Sequence, residues 1–141
     1  MALDEVRARY LRDRVLTATP AQRVVMLYDR LGLDLNLAEA AEAAEAAAGT
    51  DAHAAATHLA HALEIVAELH ASLDAGAGGP AANLSAIYTY LLGELLAVRG
   101  GQVHRLPALR TIVTTLGAAW SGAAEQLAGQ AAAAPAGAWV G

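Results

Sequence analysis

The stretch Thr17–Asp34, TATPAQRVVMLYDRLGLD, contains a complete helix start, and the helix it opens is compatible with few folds. Thr19 suits the N-cap, Pro20 suits the first helical position because its missing N–H is an orphan there anyway, and Gln22 completes a T-x-x-Q capping box. From Pro20 onward Val24, Leu27, Leu31, Leu35 and Ala38 recur at helical spacing, with Val25, Tyr28, Leu33 and Leu37 widening the stripe. An apolar arc this broad has to be covered by other helices.

At 141 residues the chain fits one domain with a sizeable core. Alanine and leucine dominate and phenylalanine is absent, a strongly helix-forming composition. The lack of cysteine removes disulfides and thiolate chemistry. A net charge of -5 argues against a nucleic-acid binder, although Arg7, Arg9, Arg12, Arg14, Arg23 and Arg30 cluster early. Asp4, Glu5 and Asp13 interrupt that basic leader and no apolar run comes after it, so it does not read as a secretion signal. No segment offers the ~20 strongly apolar residues of a membrane span. The expectation is a cytoplasmic protein that binds neither nucleic acid nor membrane.

In chain order, residues 1–16 form an arm or short helix, with Leu3, Val6, Tyr10 and Leu11 at a weak helical spacing. The bundle occupies 17–128, with helices over about 20–48, 51–74, 81–98 and 106–127. The first ends at Gly49 after the alanine-rich AEAAEAAEAAAG. The second carries Leu59, Leu63, Val66, Leu69 and Leu73 on one face. The third carries Leu84, Ile87, Leu91, Leu95 and Val98, broadened by Tyr88, Leu92 and Leu96. The fourth carries Leu109, Ile112 or Val113, Leu116, Trp120 and Leu127. Four helices on short connections imply an all-α antiparallel four-helix bundle. Residues 129–141, with Pro135 and the apolar pair Trp139 and Val140, are expected to be a flexible, disordered tail.

Catalytic and metal-binding constellations are missing from the pattern. His53, His58, His61 and His70 gather in the second helix, yet the Glu-x-x-His pairs of a dinuclear carboxylate bundle do not occur, and His58 and His61 read as solvated residues beside the apolar stripe. A phosphotransfer histidine would need a cation nearby. The chain has no lysine and that helix no arginine. GAGGP resembles a phosphate loop only superficially, since no strand precedes it and no lysine comes after. The chain is therefore expected to be neither an enzyme nor a cofactor carrier. The apolar surface in excess of a four-helix core suggests a partner site.

Several separated segments resemble one family, the flagellar export chaperone FliS. They are Tyr10; Val15, Thr17, Ala18, Thr19 and Pro20, a variant of V-x-T-A-S-P; Met26, Leu27, Tyr28 and Asp29 in MLYD; Ser72, Leu73 and Asp74 before paired glycines; Asn83, Leu84, Tyr88 and Tyr90 in NLSAIYTYL; and Trp120. They keep the family's order over about residues 10 to 120. Arg30 stands where glycine usually comes after MLYD, and Thr19 where serine is commoner.

The resemblance implies an antiparallel four-helix bundle that binds the disordered C-terminal region of flagellin, prevents premature polymerisation, and aids delivery to the flagellar type III secretion system. Export-gate or regulatory flagellar proteins are further partners it suggests. Candidate flagellin contacts are Tyr10 and Leu16 in the leader, Tyr28 and Asp29, then Asn83, Leu84, Ile87, Tyr88 and Leu91. The leucines and Ile87 also stand at core spacing, whereas a tyrosine ring with its polar tip tolerates exposure until a partner arrives. Tyr10 further marks the leader as a candidate cover for the groove. The alternative reading is a small helical adaptor or regulator binding another amphipathic helix, with a phosphotransfer or metal-binding bundle ranked below it.

Overall fold

The capping box forms as written. In the computed structural model, which describes residues 2–49, 54–73 and 80–133 but not the side chains of 13–17, 80, 81 and 131–133, Thr19 Oγ1 accepts from Gln22 N at 3.1 Å. Gln22 Oε1 accepts from Thr19 N at 3.0 Å, so two of the helix's orphan donors are satisfied reciprocally. Five α-helices result among the described residues: α1 (Ala2–Thr17), α2 (Pro20–Ala48), α3 (Ala54–Ala71), α4 (Pro80–Arg99) and α5 (Leu106–Ala133).

Their ends have local causes. Gly49 closes α2 in the left-handed conformation, φ 66°, which costs glycine no Cβ clash. Gly101 does the same for α4 at φ 112°. There Gly101 N bonds Val98 O at 2.9 Å and Gln102 N bonds Ala97 O at 3.0 Å, the paired bonds of a Schellman motif. A 3₁₀ turn, Val103–Arg105, then leads into α5, braced by Arg105, which donates to Glu94 at 2.7 Å and to Gln102 at 2.6 Å. Alanine and glutamine carry α5 on to Ala133, so residues 129–133 of the expected tail are helical. Residues 134–141, with Trp139, lie outside the described ones.

α2 is the hub, packed against both α3 and α5, while α4 packs on α3 and meets α5 most closely at their connecting turn. The helices run antiparallel: Asp34 faces His61 and Glu45 faces Ala55 across α2 and α3, and Glu39 pairs with Arg110 at 2.6 Å across α2 and α5. Leu31, Leu35, Leu59, Val66, Leu91, Leu95, Leu106 and Leu109 fill the core. On α5 it is Val113 that is buried, with Ile112 half-buried beside it. Where the alanines Ala38, Ala55 and Ala62 are buried, the closeness of the chains follows from their small size.

The expected stripes are wider than the core. Leu33, Leu37, Leu96 and Leu127 are exposed, as are Leu3, Val6, Tyr10 and Leu11 of α1. The arm is thus a helix, and in this structure Tyr10, 64 % exposed, covers no groove.

Candidate functional site

A trough runs between α2 and α5. At one end Ala18, Gln22, Val25 and Met26 of the α2 side face Ser121, Ala124, Glu125 and Ala128, around a hollow of about 330 Å³. It continues into a second hollow of about 470 Å³, where Tyr28, Asp29, Gly32, Leu33 and Asn36 face Val113, Thr114, Gly117, Ala118 and Ser121. Ser121 borders both, so the two form one channel along nineteen residue positions of the α2 side, about 27 Å at 1.5 Å per residue. Small side chains make it. Gly117 brings α5 close enough that an added Cβ would sit 3.5 Å from Tyr28 Cβ, while Gly32 has open space above it.

Tyr28 forms part of the trough wall but is itself buried, and its hydroxyl lies 2.6 Å from that of Tyr88 on α4. Burial raises the pKa of both phenols above the ordinary tyrosine value. For Tyr28 the bond to Tyr88 raises it further, while the half-buried Trp120 pulls both the other way. Three helices therefore converge on one polar point inside an apolar core, with every hydroxyl partnered.

A second polar point joins α2 to α3. Asp34 is wholly buried, its Oδ2 in a short hydrogen bond with His61 Nδ1 and its Oδ1 3.3 Å from Arg30 Nε. His61, expected to be a solvated residue, is instead anchored at its inner nitrogen while its side chain remains 42 % exposed. The reason is the acid on the neighbouring helix. A charge absent from His61's own helix is supplied across the interface by Arg30.

The family model described as Flagellar protein FliS matches residues 2–127. The chain belongs to the FliS family. A comparison with curated proteins finds no match. FliS is a flagellar export chaperone family and not an enzyme family. No described helix is long and apolar enough to cross a membrane, and no group of three potential metal ligands occurs among the described residues.

In this FliS-family chain the residues singled out in the sequence fall into four groups. Tyr28 and Asp29 border the trough. Tyr88 and Leu91 are buried, and with Tyr28 they serve the core; the exposure expected of the two tyrosines is replaced by their bond to each other. Asn83 is exposed and Leu84 and Ile87 are half-buried against the core near the start of α4, at the end of that helix far from its turn into α5. Tyr10 stands clear on α1, and the side chain of Leu16 lies outside the described residues. Sequence reasoning passed over Gly32, Asn36, Gly117, Ala118 and Ser121. Their signal is a run of small or polar residues spaced three and four apart, which a search for hydrophobic stripes discards.

Proposed function

We propose that this FliS-family chain holds the disordered C-terminal region of flagellin in the trough between α2 and α5, in the cytoplasm, and so keeps subunits from polymerising before they reach the flagellar type III secretion system. The observation that carries the reading is the continuity of the trough from Ala18 to Val113. A segment that polymerises through apolar helical faces stays soluble when those faces lie in another protein's groove. Because the client is disordered when free, it bears the cost of ordering on binding and is released without nucleotide chemistry. Tyr28 and Asp29 contribute to the wall, Asn83, Leu84 and Ile87 offer a further contact at the start of α4, and Tyr10 and Leu16 meet the client from α1.

Calorimetry with the last ~40 residues of the cognate flagellin tests this, since a peptide of that length spans a groove of this kind. Heat of binding and protection of the peptide from proteolysis are expected. A peptide that gives no heat and is digested at its free rate would overturn the assignment.

A further inference from the structure

Among the described residues Asp34 is the buried charge, and it sits in the middle of an interface whose other polar contact, Ala55 N donating to Glu45 at 3.3 Å, lies at the hairpin end. Around it α2 and α3 meet through Leu31, Leu35, Ala38, Leu59 and Ala62, all wholly or almost wholly buried. Leucine and alanine repeated at helical spacing pack acceptably in more than one register, because sliding one helix by a turn brings similar side chains opposite one another. A polar group that must find a particular partner removes that freedom, as a single buried asparagine does in a coiled coil.

We propose that the Asp34–His61 pair is the register lock of the α2–α3 hairpin, and that alignment rather than stability is what it supplies. The geometry accounts for each part. The carboxylate accepts at Oδ2 from His61 Nδ1, and with that nitrogen donating, its lone pair is gone; Arg30 Nε, 3.5 Å from the same nitrogen, is a neighbouring charge and not a second hydrogen-bond partner. Oδ1 has no hydrogen bond at all, although Arg30 Nε lies at ion-pair distance. A carboxylate stripped of water and left half satisfied adds little to stability, and replacing such a pair with apolar residues is often neutral or stabilising. A slip by one turn that brings Glu64 and Ile65 toward the acid removes even the bond to His61 and leaves the charge buried with no donor across the interface, a far worse state, whereas the opposite slip brings His58, three residues before His61, toward it. The pair therefore penalises the first of these registers, and it separates the correct one from the second only by how well each histidine reaches the carboxylate. Stacking Arg30 one turn before Asp34 on the same helix keeps a cation over the site in every register, so the discrimination rests with His61.

The chain has no cysteine, which permits clean spin labelling at Ala40→Cys on α2 and Glu64→Cys on α3, both exposed positions. Electron–electron distance measurement on the labelled full chain is expected to give one narrow distribution. In the same background Asp34→Leu with His61→Leu is expected to stay folded and helical while a second population appears, displaced by about one helical turn, ~5.4 Å. A single unchanged distance in that variant overturns the proposal. Failure of that variant to fold also overturns it, because the pair would then be supplying stability. His61→Gln retains a donor at a half-exposed site and is expected to keep the single distance; a second population there would remove the hydrogen bond as the basis of the lock.

Discussion

The phenolic oxygens of Tyr28 and Tyr88, sixty positions apart in the chain, lie 2.6 Å from each other at the centre of the bundle. Neighbouring helices are joined by leucine and alanine. This bond instead crosses from α2 to α4, with Trp120 of α5 beside it, so one polar contact reports on the docking of three helices.

Removing both hydroxyls together should cost less than the two removals taken separately. Tyr88→Phe leaves the Tyr28 hydroxyl buried without the partner it has in the fold, and is expected to lower unfolding free energy by about 1–3 kcal/mol in urea titrations. The double phenylalanine variant should lose less than the sum of the two singles, since the pair acts as a unit. Additive losses would mean that the contact is energetically silent.

The same pair sets an alkaline limit. Both phenols have raised pKa values in the fold, chiefly through burial, so the folded state holds protons that the unfolded chain gives up near the ordinary tyrosine value of about 10. Their contribution is complete below about pH 10 and is lost as pH rises through the higher folded values. Far-ultraviolet circular dichroism should show unfolding above pH 10 in the wild type and a higher midpoint when both are phenylalanine; equal midpoints would refute this.

Gly32 and Gly117 separate fold from binding. Gly117→Ala places its Cβ in ordinary contact with Tyr28 and removes a helical glycine, a gain of up to ~1 kcal/mol in stability. Gly32→Leu projects into open space above the trough and also removes a helical glycine, so melting should hold or rise while affinity for the flagellin peptide falls tenfold or more, about 1.4 kcal/mol. Unaltered affinity would place the client elsewhere.

Thr19→Ala removes the acceptor for Gln22 N and should cost about 1 kcal/mol, with little added by Gln22→Ala once the box is broken. Chemical denaturation of the two singles and the double checks both statements.

What was legible in the sequence was what is decided locally. The start of α2 depends on Thr19, Pro20 and Gln22, and its end on Gly49, each settled by residues close to it along the chain. The buried leucines follow from spacing alone. Asp34 was opaque because an acid on an apolar stripe looks like an interruption until a partner twenty-seven residues on, His61, is brought against it. The tyrosines misled for a related reason: amphipathic residues fit either an exposed site or a buried pair, and only the tertiary fold supplies the second hydroxyl. The trough was hidden because hydrophobic patterning finds what fills space, whereas Gly32 and Gly117 matter for the space they leave.

Ala18 and Thr19 are the two residues between α1 and α2, and Ala18 is buried at the very end of the trough. That makes the link a fulcrum. α1 is sixteen residues long, about 24 Å, so a turn of only about 10° at Ala18 carries its far end through roughly 4 Å. Leu3, Val6 and Tyr10 ride on that long arm, so small differences in backbone angle at Ala18 and Thr19 set where three exposed apolar side chains stand.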